Sequence, residues 1–262
     1  MLDQIDRASL SHRWSRWFGQ WIQRRWRPVA PSVSAQAAYR RLAMQLHLDL
    51  PRPAGRRSVL ILSPRTCQWS GAGLMGLARH LGQQLCEPVL LVDACPLNPE
   101  ISQLLGCAEL PGWSDLLADP NYSAADVTLP TSSDHVSFLP AGRHSVTGAG
   151  GEGLAQRASG LRESYDFILF AGGGVLDGFT SLELLAEVGC VLLLVAEGET
   201  RIEDLRAAKQ VLGLWRAPDV RIVLTTPSRE SVDVLQPPEI LPVPADWHTA
   251  KAKTRGLKTD LS

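Results

Sequence analysis

The stretch "SPRTCQWSGAGLMGLARHL", Ser63 to Leu81, follows a short apolar run, "SVLILS", and opens into a helical pattern. A glycine turn between a strand and a helix is a place where backbone N–H groups can cradle phosphate oxygens, and Gly71 and Gly73 have the spacing for it. Nucleotide chemistry at such a turn asks for two more groups. A lysine reaches the β- and γ-phosphates, and a Ser/Thr hydroxyl binds magnesium. The residues after Gly73 are Leu74 and Met75, which supply neither. The turn is read as a tight strand-to-helix connection that binds nothing. Weak residual holding of ATP or ADP is the most that bare N–H groups could offer.

The second candidate is Asp93, at the end of the apolar run "PVLLVDA". Helix capping or a loop hydrogen bond is favoured over a metal role for it, and without a counter-cation it repels a nucleotide phosphate. The run "AGGGVLDG" reads as a relaxed loop rather than a switch. The five cysteines, Cys67, Cys86, Cys95, Cys107 and Cys190, include no C-x-x-C pair, so reduced thiols are expected. His80, His135, His144 and His248 share no spacing, and no metal site is predicted. The G-x-S-x-G pattern of a nucleophile elbow does not occur.

These residues must be held by an alternating scaffold. "SVLILS", "PVLLVDA", "HVSFLPAG", "YDFILFAGG", "CVLLLVAEG" and "VRIVLTT" are strand-like runs separated by helical patterns, including "SLELLAEV" and "RIEDLRAAKQVLGLW". Continuous apolar strands alternating with helices predict an α/β fold, a doubly wound and mostly parallel sheet covered on both faces. Four regions are predicted: 1–33, a Trp/Arg-rich amphipathic segment; 34–50, a helix preceding the core, with Tyr39, Leu42, Met44 and Leu46 as apolar contributors; 51–236, the α/β domain; and 237–262, a basic flexible tail. A net charge of −1 gives no reason to expect nucleic-acid binding. No apolar run is long enough to span a bilayer, and the first residues lack a signal-peptide core.

In the first region Trp14, Trp17, Phe18 and Trp21 recur at helical spacing, with Arg24, Arg25 and further arginines and no acid among them. Three uses fit: packing on the domain, lying on a membrane surface, or docking onto a membrane partner.

Five phrases in order, "GAGLMG", "VLLVDAC", "LLGCAELPGWSDLL", "SFLPAG" and "YDFILFAGGGVLD", carry a resemblance over about residues 35–230. The chain resembles the cytoplasmic domain of bacterial tyrosine kinases (BY-kinases), relatives of the MinD and ParA ATPases that serve exopolysaccharide export. On that resemblance the P-loop lysine and Ser/Thr fall on Leu74 and Met75. The first aspartate of the Walker A′ strand is kept as Asp93 and its second falls on Cys95. The Walker B aspartate falls on Ala171, followed by Gly172, Gly173 and Gly174 in place of Thr-Pro-Pro. The family's C-terminal tyrosines are missing from "DWHTAKAKTRGLKTDLS", and its oligomerisation motif falls on Ala37, Arg40 and Ala43.

The resemblance implies a P-loop fold that has lost its catalysis: a scaffold or regulatory subunit for capsule, exopolysaccharide or cellulose synthesis. It implies a cytoplasmic place, peripheral at the inner membrane. Implied partners are a polysaccharide co-polymerase or a glycosyltransferase, met through the aromatic segment and the helix around Tyr39 and Arg40. Pairing as a homodimer, or as a heterodimer with a paralogue, is also implied. No cofactor is expected. The competing readings are an ATPase or tyrosine kinase using Arg65, Arg79 or Lys209 as a substitute cation, and a positioning protein of the ParA kind.

Overall fold

The computed structural model describes residues 33–50, 57–66, 71–120, 122–131, 133–143, 151–178 and 181–225. Seven strands form one sheet: β1 (Ser58–Ser63), β2 (Val89–Asp93), β3 (Leu129–Pro130), β4 (Val136–Leu139), β5 (Phe167–Gly174), β6 (Cys190–Ala196) and β7 (Asp219–Thr225). Their order is β3-β4-β2-β5-β1-β6-β7. All neighbours are parallel except the short β3, which runs antiparallel to β4. The helices are α1 (Val33–Asp49), α2 (Gly71–Leu85), α3 (Glu100–Leu104), α4 (Trp113–Ala118), α5 (Ala124–Val127), α6 (Gly151–Ser164) and α7 (Ile202–Leu214).

The two-residue period of a strand divides the apolar runs between two cores. Val59 and Ile61 of β1 join Leu91, Leu169 and Leu192 on one face, under α1 and α2. Leu60 and Leu62 join Val92, Phe170, Val191 and Leu193 on the other, under α4, α6 and α7. Trp113 of α4 meets Phe170 there, with ring centroids 5.6 Å apart. Strands buried on both sides need no polar alternate positions, which is why these runs read as unbroken hydrophobic stretches.

The predicted doubly wound, mostly parallel sheet is the one observed, with three local differences. "SLELLAEV" forms a 3-10 turn, Leu182–Ala186, in place of an α-helix. In α1 it is Ala43 and Leu46 that are buried, with Leu50 just beyond its end, while Met44 is 46 % exposed. One residue of offset turns a side chain about 100° around a helix, so the small Ala43 fits closely against the neighbouring helix and Met44 faces out. Finally, β7 is an edge strand. Val220, Ile222 and Leu224, which pair in register with Val191, Leu193 and Val195 of β6, are exposed. The buried residues of α7, Ala208 and Leu212, belong to the core around β6.

Below the sheet, α1 is tied to β1 and β2 by one buried guanidinium. Arg57 donates from Nη1 to Glu87 at 2.5 Å and lies 2.5 Å from His47 Nδ1 through Nη2. The same group stands 5.6 Å over the Phe167 ring.

Candidate functional site

In an open parallel sheet, ligands bind at the carboxyl ends of strands where the chain's order reverses. That place in this molecule is the top of β1, β2 and β5, and it holds a small open cleft. Its walls include Gly71 and Leu74 of α2, Asp93 at the end of β2 and Cys95 beyond it, Ile101 of α3, and Ala171 of β5. Four of the six positions singled out from sequence, Gly71, Leu74, Asp93 and Ala171, therefore come together. The in-register pairing of Asp93 with Ala171 is what joins the last two.

The groups themselves offer little to a phosphate. Gly71 opens α2, and a Cβ there would stand 3.1 Å from Leu104 and 3.4 Å from Ile101, so the missing side chain lets α2 pack on α3. Leu74 and Met75 are 6 % and 2 % exposed and belong to the core beneath α2, as does Ala171. Gly73 lies in the same first turn of α2. Among the substitute cations, Arg65 is engaged: its Nε donates to Asp204 at 2.9 Å, and Nη1 stands 3.6 Å from Asp177. Arg79 and Lys209 are exposed, on α2 and α7, and neither lines the cleft.

Asp93 is 2 % exposed, and its Oδ2 accepts from both the backbone N–H of Ser102, at 2.9 Å, and its hydroxyl, at 2.7 Å. Burial pushes its carboxyl up to about 6, against the downward pull of these hydrogen bonds. Cys95, half-buried on the cleft wall, has its thiol raised by burial and then by Asp93, the opposite of an activated thiolate. Cys67 lies outside the described residues. Among those described, no group of three His, Cys, Asp or Glu residues is placed to hold a metal ion.

The glycine run is structured rather than relaxed. Gly172 to Gly174 continue β5, and Ser181 donates its hydroxyl to the Gly172 carbonyl. A Cβ on Gly172 would come 2.7 Å from Leu62 and 2.8 Å from Leu60. Gly172→Ala is expected to destabilise the protein by about 1–3 kcal/mol through overpacking, read as a lower urea midpoint at unchanged slope.

The phrases "PGWSDLL" and "LPAG" turn out to be two halves of one joint. Trp113 N–H donates to the Pro140 carbonyl at 2.7 Å and Ser114 N–H to that of Ala141 at 2.9 Å. Asp115, fully buried, accepts from the backbone of Gly112 and of Arg143, both at 3.0 Å. Gly142, at φ +90°, lies against Ser114 and Asp115, where no side chain fits. Tyr39, expected at a contact surface, packs inward against Gly76 and His80, with its ring centroid 5.9 Å from the imidazole. Its neighbour Arg40 stays exposed. Trp14, Trp17, Phe18, Trp21, Arg24 and Arg25 lie outside the described residues.

Sequence reasoning missed Ser102, buried behind Asp93, and the cleft-lining residues Thr66, Asn98, Glu100 and Ile101, which carry no motif. Only their position after a strand end hinted at them.

The sheet order and the acid closing β2 define a doubly wound α/β fold of the P-loop type. Its counterparts among solved structures include kinase domains. The VpsO kinase domain matches with a TM-score of 0.60 at 21 % identity, over 75 % of this chain and 96 % of that one. The kinase domain of the Escherichia coli tyrosine kinase ETK matches with a TM-score of 0.61 at 17 % identity, over 79 % and 88 %. A chimerical protein, CapA2B2, matches with 0.63 at 18 % identity, over 76 % and 86 %. At these identities the likeness is one of fold. No protein-family model and no curated protein matches the chain.

Proposed function

We propose that this chain is a catalytically inactive relative of the BY-kinase fold, acting as a scaffold or regulatory subunit of a bacterial exopolysaccharide synthesis and export complex. The observation that carries the loss of catalysis is the burial of Leu74, Met75 and Ala171 in the core, at the places of the lysine, the Ser/Thr and the Walker B acid. Phosphoryl transfer rests on positioning and on neutralising phosphate charge. Apolar side chains at those three places, with an acid on the cleft wall, oppose both. The polysaccharide setting rests on the five ordered phrases of the sequence and on the fold they share with BY-kinase domains. In this reading the protein works at the cytoplasmic face of the inner membrane beside a co-polymerase or glycosyltransferase, and pairs with a second copy or a paralogue. Among the described residues no helix is long and apolar enough to cross a membrane.

The test is a titration of fluorescent ATP and ADP analogues into the purified protein, with and without magnesium. No saturable binding up to millimolar nucleotide is expected. The double variant Leu74→Lys, Met75→Thr is expected to lose about 2–4 kcal/mol of stability, since it places a charge and a smaller polar group in the core. Micromolar, magnesium-dependent binding by the unaltered protein would favour the nucleotide-dependent enzyme instead.

A further inference from the structure

The cleft wall does not end at Asp93. The Ser102 hydroxyl that donates to Asp93 also accepts the backbone N–H of Ala141 at 2.9 Å. Ala141 lies in the turn after β4, whose carbonyls receive the first N–H groups of α4 and whose Arg143 N–H is held by Asp115. Asp93, Ser102 and Ala141 are thus one buried chain of hydrogen bonds from the cleft to a turn built from a different strand.

We propose that these three residues form a latch, in which the charge on Asp93 sets how firmly the cleft holds the turn Pro140–Arg143. An ionised carboxylate polarises the Ser102 O–H and makes its oxygen a better acceptor for Ala141. A protonated carboxyl reverses that. Its proton faces a neighbourhood of donors, the Ser102 N–H and the nearby backbone N–H groups of Cys95 and Ile101, and its available acceptor is the Ser102 oxygen already serving Ala141. The hydroxyl proton of Ser102 must then turn away, and the hold on Ala141 weakens.

The groups around Asp93 leave its charge free to change. From α3 comes Glu100, from the segment after β2 comes Cys95, and from the segment after α3 comes Cys107, both thiols raised by burial and by Asp93 itself. From α2 and β5 come Gly71, Leu74, Ala171 and Gly173, none of which titrates. Among the described residues no cation lines the cleft. The carboxyl, standing at about 6, therefore titrates within the physiological range. This device is independent of whether the protein is a scaffold or an enzyme. Any change of charge at the cleft floor reaches the turn.

The experiment follows the backbone amide resonances of Ser102 and Ala141 between pH 4.5 and 8 in the full chain. Both are expected to move with one shared midpoint near pH 6, and the Ala141 amide to exchange about two- to three-fold faster, relative to the β2 amide of Leu91, on the acid side. In Ser102→Ala the Ala141 movement is expected to vanish, and in Asp93→Asn both movements. An Ala141 resonance that stays still while Ser102 titrates overturns the latch. So does an Ala141 midpoint retained in Ser102→Ala, and so does the absence of any transition in either amide.

Discussion

Asp115→Ala is expected to lower the unfolding free energy by about 3–5 kcal/mol, the largest single loss from a side chain on this scaffold. The carboxylate is fully buried, and three donors converge on it. Oδ2 takes the backbone N–H groups of Gly112 and Arg143, and Oδ1 takes the Arg143 guanidinium at 3.3 Å. Alanine strands both backbone donors away from water, and each such group costs about 1–3 kcal/mol. Because one oxygen serves both, Asp115→Asn can keep them by presenting its carbonyl there. Among the described residues it then loses the pairing with Arg143, which is partly exposed, and about 1 kcal/mol is the expected cost. The discriminating result is the ratio of the two losses in urea unfolding. Equal losses would mean that charge, rather than the two backbone bonds, holds the joint.

That joint bears on how much of the molecule was legible. The strands were, because burial on both faces leaves an unmistakable run of Val, Leu and Ile in β1, β2, β5 and β6. The edge position of β7 was not, since "VRIVLTT" has the same composition as its covered neighbours and nothing local says which strand comes last. The 3-10 turn at Leu182 was misread because an apolar pattern five residues long fits either helix. At the site, Gly71, Leu74, Asp93 and Ala171 could be placed by counting along the phrases, and all four line the cleft. Ser102 could not. A serine nine residues after Asp93, in a helix of five residues, acquires its role only when α3 folds back over the end of β2. Two of the phrases that carried the resemblance proved to be architecture: "PGWSDLL" and "LPAG" interlock through the N–H groups of Trp113 and Ser114 and do not line the cleft.

The stability of the protein is expected to respond to pH through Asp93 in a direction opposite to that of a salt-bridged carboxylate. Burial holds the folded carboxyl near 6, above the 3.8 of an exposed aspartate. Between those two values the folded chain binds a proton that the unfolded chain has released, so folding is favoured as the pH falls. Above about pH 7 both states are ionised, and the buried charge weighs against the fold in full. Below about pH 4 both are protonated, and the penalty is gone. The difference is worth about 3 kcal/mol. Other carboxylates titrate over the same interval, which makes the comparison with Asp93→Asn the informative one. Asparagine sets its amide among N–H donors and will have its own cost, but that cost does not vary with pH. The unfolding free energy of the unaltered protein, minus that of Asp93→Asn, is therefore expected to rise by about 2 kcal/mol from pH 8 to pH 4, most of the full difference. Parallel curves across that range would show that Asp93 keeps an ordinary carboxylate's affinity for its proton. The cleft would then be wet enough to solvate a charge. A steep divergence would establish that the cleft floor is dry and acidic, an environment that repels an incoming phosphate.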